Sequence, residues 1–276
     1  MDKQEPIRLA VSGASGRMGK AVIHEILSDE LQLVSLGQAV HRAGGASEGI
    51  DCGVLVGLAP TGQKVGSTLD FSLFDVLIDF SLPDISQQYL QSCVDNKTPL
   101  VIGTTGFTAE QSAVIAQAAQ DIPIVFAPNM SVGVNLSFHL LETIAKVMGE
   151  ESDIEIIETH HRHKVDAPSG TAIGMGKAVA SALGRSLDDD AIYGRQGVSG
   201  VRPRQQIGFS TVRGGDVVGD HTVMFATEGE RLELTHKASS RQTFAKGALR
   251  AARWLVNQPA GLNDMQDVLG LKKSSH

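Results

Sequence analysis

The sequence predicts an α/β protein in which a Rossmann-type dinucleotide-binding domain is followed by a second domain of α+β type. Three observations carry this expectation. Over the first 130 residues short apolar runs alternate with amphipathic stretches; the loop Gly13-Ala14-Ser15-Gly16-Arg17-Met18-Gly19 stands between the first run and the first amphipathic stretch; and from Gln206 to Lys237 strand-like runs succeed one another with little helix. At 276 residues the chain is long enough for two domains. With 30 glycines and only 4% aromatic residues, the composition favours tight strand-to-helix turns over aromatic recognition surfaces.

Ile7–Ser12, mostly apolar and closed by glycine, reads as the first strand, and Lys20–Leu27 as a helix with Val22, Ile23, Ile26 and Leu27 along one face. A second strand is expected at Leu31–Leu36, before an irregular, glycine-rich region from Gly44 to Gly66. Asp75–Phe80 is a compact buried strand, and a helix opens near Pro83-Asp84 with Tyr89, Leu90 and Val94 as its apolar stripe. Leu100–Ile102 runs into Gly103-Thr104-Thr105-Gly106, a helix follows over Ala109–Ala119, and Ile122–Phe126 makes another strand. Such alternation implies right-handed βαβ units and a mainly parallel sheet.

Past Asn129 the pattern changes. Val132–Met148 reads as a long helix, Ile154–Ile157 as a strand and Pro168–Leu183 as a second helix; Val217-Val218, Thr222–Ala226 and Leu232–Thr235 suggest antiparallel strands. Arg241–Val256 returns to helical spacing through Phe244, Leu249, Trp254 and Leu255. The expected organisation is a dinucleotide-binding domain over 1–130, a substrate domain over 131–240, and a C-terminal segment, 241–276, returning to the first domain.

Composition excludes several function classes. The 31 acidic and 24 basic residues leave a net charge of −7, which argues against a nucleic-acid partner. Cys52 and Cys93 lie far apart with no C-x-x-C, so neither a disulfide framework nor a cysteine zinc site is expected, and a reducing cytoplasm fits. The charged opening Met1–Pro6 lacks the apolar core of a signal peptide. Ile122–Leu141 contains no Asp, Glu, Lys or Arg over about the length of a membrane span, but Pro123, Pro128, Asn129 and Asn135 interrupt it, and a buried strand, a loop and a helix start fit it better. No membrane role is expected.

In the glycine loop Gly13 permits a sharp turn, Gly16 lets the backbone approach a pyrophosphate, and Gly19 lets the helix lie against the sheet, while the N–H groups of the helix start meet phosphate charge. The spacing is G-x-x-G-x-x-G, and a tight turn without a ligand is the bland alternative. After the second strand, where a carboxylate would hold a ribose hydroxyl, stand Val40-His41-Arg42, with no acid until Glu48. Arg42, with His41 and Arg17, suits the 2′-phosphate of NADPH; a solvated basic turn is the alternative. Gly103-Thr104-Thr105-Gly106 and Ala127-Pro128-Asn129-Met130 fall at strand ends where open α/β sheets bind ligands, and suit the ribose and nicotinamide end of a cofactor or plain turns.

The most distinctive segment is Glu158-Thr159-His160-His161-Arg162-His163-Lys164-Val165-Asp166-Ala167-Pro168-Ser169-Gly170-Thr171. In a continuous strand His160 and Lys164 would lie about 13 Å apart, so the segment must bend if both serve one reacting atom. Asp166 to Gly170 look like a helix start, with Asp166 as cap and Pro168 in the first turn. The backbone N–H groups that follow, with the Ser169 and Thr171 hydroxyls, offer a carboxylate site. Together these describe a pocket for a small dianionic acid, with Lys164 and one histidine as proton donors. A histidine metal site would have no cysteine and only Asp166 nearby, and no metal is expected; a solvated basic loop would not explain the Pro-Ser-Gly-Thr turn that follows.

These segments, with Asn129–Asn135, Gly219-Asp220-His221-Thr222 and His236–Arg241, resemble the 4-hydroxy-tetrahydrodipicolinate reductase family in order along essentially the whole chain. The resemblance implies NAD(P)H-dependent reduction of (S)-4-hydroxy-tetrahydrodipicolinate, with loss of water, in diaminopimelate and lysine biosynthesis. By the same likeness His160 is the proton donor or acceptor and Lys164 the proton donor; His161, Gly170 and Thr171 bind substrate; and Gly13 to Met18, Gly103 to Thr105 and Ala127 to Met130 bind cofactor. It further implies a homotetramer built through the second domain. Many members carry an acid where His41 stands and use both NADH and NADPH, so its absence favours NADPH. A different Rossmann-type reductase of the Tyr-x-x-x-Lys kind finds no support, since Cys93 and Gly197 stand four residues after Tyr89 and Tyr193. A non-catalytic NADPH sensor would leave the His-Lys loop unemployed.

Overall fold

The computed structural model describes residues 5–272. Met1–Gln4 of the charged opening and residues 273–276 of the C-terminal segment lie outside the described residues. Two compact units emerge, one from the residues up to Val132 together with those from Arg241 onward, the other from Gly133–Ser240.

In the first unit the elements are β1 (Ile7–Ser12), α1 (Arg17–Leu27), β2 (Val34–Val40), α2 (Cys52–Leu55), β3 (Val76–Asp79), α3 (Pro83–Asp95), β4 (Leu100–Ile102), α4 (Ala109–Ala118) and β5 (Pro123–Phe126). Of these, β1 to β5 join β11 (Gly261–Asn263) in a parallel sheet of order β11-β5-β4-β3-β1-β2. Both faces are covered, as a parallel sheet requires. On one face Val22, Ile23 and Ile26 of α1 meet Ala245, Ala248 and Leu255 of α8 (Gln242–Leu255) and Met265 and Val268 of α9 (Met265–Val268). On the other, Leu90 and Cys93 of α3 pack with Ile115 and Ala118 of α4 over Leu77, Leu100 and Ile102.

The second strand begins later than Leu31. Leu31 is 76% exposed, Gln32 takes a left-handed φ of 52°, and the Asp29 carboxylate accepts the N–H groups of Leu31, Leu33 and Val34, so a polar loop consumes three residues whose hydrophobicity mimics a strand. The glycine-rich region is ordered about a second such acid: Asp51 accepts the N–H groups of Gly53, Val54, Thr61 and Gly62 and caps α2. The three-residue β11 and α9 had no periodic signal long enough to read.

The second unit contains α5 (Val132–Met148) from Gly133 on, β6 (Asp153–His160), α6 (Gly170–Ala182), α7 (Leu187–Asp190), β7 (Ala191–Ile192), β8 (Ile207–Arg213), β9 (Gly219–Ala226) and β10 (Arg231–Ala238). Its sheet has the order β10-β9-β6-β8-β7 and is mixed rather than antiparallel, because β6 and β7 run parallel to β8 while β9 opposes both β6 and β10. A run of strands without helices misled the expectation: the crossover from β6 to β8 carries α6 and lies earlier in the chain. Register places Ile207, Ile154, Phe225 and Leu232 in one row and Phe209, Ile156, Val223 and Leu234 in the next, under Leu141, Ala145, Met175 and Val179 of α5 and α6. The following row is Thr211, Glu158, His221 and His236, so the same face passes from apolar to polar within two residues.

Helix α8 packs in the first unit through a glycine. A Cβ on Gly247 would lie 1.8 Å from the carbonyl oxygen of Met130, so only a bare backbone lets α8 approach the loop after β5. In an unhindered helix Gly→Ala gains up to about 1 kcal/mol; here we expect Gly247→Ala to destabilise by about 1–3 kcal/mol through overpacking. Thermal unfolding checks this, and a Tm at or above the wild-type value would refute the close approach.

Candidate active site

The glycine loop follows β1 as expected. Gly13 has φ 67°, and a Cβ there would stand 2.3 Å from the carbonyl oxygen of Phe80; one on Gly19 would stand 2.2 Å from the oxygen of Gly13. The loop therefore lies flat on the end of β3, with the first turn of the eleven-residue α1 opening from Gly16. This bare backbone at a helix N-terminus fits a dinucleotide pyrophosphate.

A carboxylate that the sequence reading left without a role ties this loop to the next. Asp79, fully buried at the end of β3, accepts hydrogen bonds from the hydroxyls of Ser12 and of Thr104, the latter at 2.8 Å, and its carbonyl oxygen accepts the Gly103 N–H at 2.9 Å. Thr104 also accepts the Ser81 N–H at 2.9 Å. Its hydroxyl is thus committed inside the protein, while Thr105 is exposed. In the other loop Ala127 and Met130 are buried, so they can meet a cofactor only through backbone; Pro128 is exposed, and the Asn129 side-chain Oδ1 accepts the Ser131 N–H at 2.8 Å. Ala14 is likewise fully buried. His41 and Arg42 follow directly on β2, and the Ser15 hydroxyl lies 3.0 Å from His41 Nε2, joining the glycine loop to that strand end. Arg17 and Arg42 are exposed.

In the second unit the chain bends directly after His160. Strand β6 ends at His160, whose carbonyl accepts the Gly214 N–H; the Lys164 N–H returns to the carbonyl of His161 at 3.1 Å, closing a turn. Lys164 then pairs with Asp166 at 2.8 Å. Asp166 is therefore not the helix cap. Ser169 caps α6, accepting the Ala172 N–H at 3.1 Å, and Pro168 precedes the cap after a cis peptide bond. The Ser169 hydroxyl also meets His221 Nε2 at 2.8 Å. Ser169 is thus occupied in orienting the helix, and the backbone of Gly170 and Thr171 forms the first turn of this thirteen-residue helix at its electropositive end. His161 is half-buried beside His163, their rings 6.2 Å apart, while Arg162 and His163 are exposed.

The centre of this corner is Glu158, a residue present in the recognised motif but given no task there. Only 1% of it is exposed. Its Oε1 accepts the Ser169 N–H, the Thr211 hydroxyl and Arg213 Nη2; its Oε2 accepts Arg213 Nη1 and lies 2.5 Å from His160 Nδ1. Burial would raise the Glu158 pKa, yet the Arg213 guanidinium and the His160 hydrogen bond outweigh it and hold the carboxyl at about 2. For His160 burial prevails over Glu158, with Lys164 and Arg213 adding to it, so the imidazole pKa is lowered. His221 packs edge-on to His160 at 5.0 Å, and burial first, then His160, pushes its pKa down to about 4. His236, opposite His221 in the register, is lowered by burial too. Glu158 and His160 stand two apart on one strand face, a signal the sequence offered; Arg213 and Thr211 carried no motif at all.

A dinucleotide-type fold and a second sheet with a buried carboxylate–imidazole corner, joined in one chain, suit an NAD(P)H-dependent oxidoreductase. Residues 7–130 match the family model described as dihydrodipicolinate reductase, N-terminus, and residues 133–269 the model described as dihydrodipicolinate reductase, C-terminus. The chain belongs to the dihydrodipicolinate reductase family. It is 58% identical over 268 residues to the 4-hydroxy-tetrahydrodipicolinate reductase of Methylococcus capsulatus, spanning 96% of this chain and 99% of that protein. The enzyme of the same name from Pseudomonas fluorescens is 58% identical over 266 residues, at the same coverage. Among solved structures, the dipicolinate-bound dihydrodipicolinate reductase of Paenisporosarcina sp. TG-14 superposes with a TM-score of 0.71 at 25% identity, covering 95% of this chain and 98% of that one.

His221 kept neutral by burial makes stability depend on pH. Its folded pKa, about 4, lies below the ordinary histidine value of 6.5, so between these pH values the unfolded chain binds the proton and the folded chain does not. The stability lost as pH falls through this window is about 3 kcal/mol, with His160 and His236 contributing in the same direction. We expect the Tm to fall steadily from pH 6.5 to 4, and His221→Asn to flatten that slope. An equally steep slope in the variant would show that the loss arises elsewhere.

Proposed function

We propose that the chain reduces (S)-4-hydroxy-tetrahydrodipicolinate to (S)-tetrahydrodipicolinate at the expense of NAD(P)H, with loss of water, as a step of diaminopimelate and lysine biosynthesis. The observation that carries this reading is the Glu158 carboxylate, which joins His160 directly to the N-terminus of α6. A proton-exchanging imidazole and an anion-binding helix end are thereby held in one corner, with Lys164 near enough to lower the His160 pKa. The family membership and the relatives' names agree with it.

In this reading the glycine loop and the exposed Thr105 hold the cofactor, which when bound supplies a hydride to the ring carbon of the conjugated imine. The N–H groups of Gly170 and Thr171, with His161, hold the substrate carboxylates. His160 exchanges a proton through Nε2, and the Lys164 ammonium delivers the proton that captures the enamine-type electron pair left by hydride addition. Arg42, with His41 and Arg17, supports a preference for NADPH, since the strand end before them offers a cation and no acid for a ribose 2′-phosphate. The buried thiols of Cys52 and Cys93 suit a reducing cytoplasm, and among the described residues no helix is long and apolar enough to cross a membrane. Ile157 and Val212, 38% and 47% exposed on the sheet face away from α5 and α6, support assembly as a homotetramer through this sheet.

The decisive experiment follows NADPH oxidation at fixed protein with enzymatically generated substrate. Lys164→Ala should lower kcat by about 10²-fold or more, the scale of a lost general acid, at little cost in Tm; near-normal turnover at matched stability would sink the assignment. Arg42→Ala should raise the KM for NADPH about tenfold, as the loss of one charge-assisted phosphate contact implies, and leave that for NADH nearly unchanged. Equal changes for both cofactors would remove Arg42 from the 2′-phosphate site.

A further inference from the structure

The tautomer of His160 follows from its surroundings. Glu158 is ionised across the whole working range of pH, and a carboxylate only accepts, so the short contact between its Oε2 and His160 Nδ1 places the ring proton on Nδ1. The imidazole is then left with its lone pair on Nε2. We infer that Glu158, clamped by Arg213, is the positioning residue of His160: it fixes the Nδ1–H tautomer and the ring plane, and so confines proton exchange to Nε2.

Three features separate this from a salt bridge that only holds the sheet together. Arg213 grips both carboxylate oxygens at 2.8 Å and donates also to the carbonyl of Asp166, so the carboxylate cannot swing to follow a moving ring. Ser169 and Thr211 fill the remaining acceptor sites on Oε1, leaving Oε2 to face the imidazole. On the far side of the ring the backbone of Gly219 stands so near that a Cβ there would lie 2.9 Å from His160 Nε2 and 3.3 Å from Cδ2. With the His221 ring edge-on, its centroid 5.0 Å away, the imidazole is held on its Nδ1 side by charge and flanked by Gly219 and His221, while 10% of the side chain stays exposed. The groups that face it are Glu158 from its own strand, Arg213 from β8, His221 from β9, itself opposite His236 of β10, and Lys164 from the turn.

The inference rests on the reading that His160 exchanges a proton during the reaction, and the test keeps the two apart. Initial rates are compared for the wild-type protein, Glu158→Gln, His160→Gln and the double variant, with NADPH and generated substrate. Glu158→Gln should lower kcat roughly 10- to 100-fold, part of the ~10²–10⁴ that positioned proton transfer contributes, with the KM for NADPH changed less than about twofold. The acid limb of its kcat/KM profile should move to lower pH, because the carboxylate that raises the His160 pKa is gone while Arg213 and Lys164 remain. The double variant should be no slower than His160→Gln alone, since a residue that acts through His160 has nothing left to act on. Multiplicative losses in the double variant, or full kcat and an unmoved profile in Glu158→Gln beside a disabled His160→Gln, overturn the inference and leave the proton-exchange reading standing. Full kcat in His160→Gln overturns both. Should Glu158→Gln fail to fold, nitrogen NMR of the ¹⁵N-imidazole-labelled wild-type protein, with His160 assigned by its loss in His160→Gln, answers the same question: an Nδ1–H signal is expected, and a ring carrying its proton on Nε2 refutes the inference.

Discussion

Burying a carboxylate costs several kcal/mol unless its lone pairs are met, and the polar corner of the second unit depends on how Glu158 meets that cost. A backbone N–H, a hydroxyl, the two terminal guanidinium nitrogens of Arg213 and an imidazole share its two oxygens. These donors come from three pieces of chain: Ser169 from the start of α6, Thr211 and Arg213 from β8, His160 from the end of β6. One charge therefore fixes where the strand ends, where the helix begins and how the two strands close. Losing Arg213 would leave that charge unpaired, at about 3–5 kcal/mol, and would release the helix and the imidazole together. Stability and the readiness of the site are the same interaction here.

The first unit solves a like problem without a cation. Asp79 is as deeply buried as Glu158, and it accepts from the hydroxyls of Ser12 and Thr104. Those residues stand at the mouths of the glycine loop and of the Gly103–Gly106 loop, so the carboxylate sets the spacing of the two loop backbones. Neutral donors suit this position. An arginine large enough to pair Asp79 would occupy the strand ends where the open sheet receives its ligand, whereas two short hydroxyl side chains leave that edge clear.

Much of this was legible in the sequence because it rests on local pattern. Helix α5 spans the residues its periodicity indicated, and the strands β1, β3, β4 and β5 follow from apolar runs closed by glycine or proline. The bend after His160 is expected only on the condition that His160 and Lys164, which a straight strand would hold about 13 Å apart, serve one atom; the structure has a turn there. The failures share a different cause. Leu31 looked like strand because hydrophobicity does not reveal that Asp29 will claim the neighbouring N–H groups. Asp166 looked like a cap because its partner in the structure, Lys164, was assigned wholly to substrate. Arg213 lies 55 residues from Glu158 and belongs to no motif, so only the parallel pairing of β6 with β8 discloses it.

The pairing also explains why so many histidines gather in an acidic chain. In the row Thr211, Glu158, His221, His236 and its neighbour Arg213, His160, the only permanent charges are Glu158 and Arg213, and they neutralise one another. The imidazoles beside them sit in an electrically balanced, largely dry surface, where the neutral ring is the cheaper form; burial lowers the pKa of His160, His221 and His236 alike. Had Arg213 been absent, Glu158 would draw the His160 ring toward its charged form and tie the proton between them. Balanced by Arg213, the same carboxylate orients the ring without charging it. An imidazole so held keeps a lone pair on Nε2 at neutral pH, beside a Lys164 that pairs with Asp166 on the same turn.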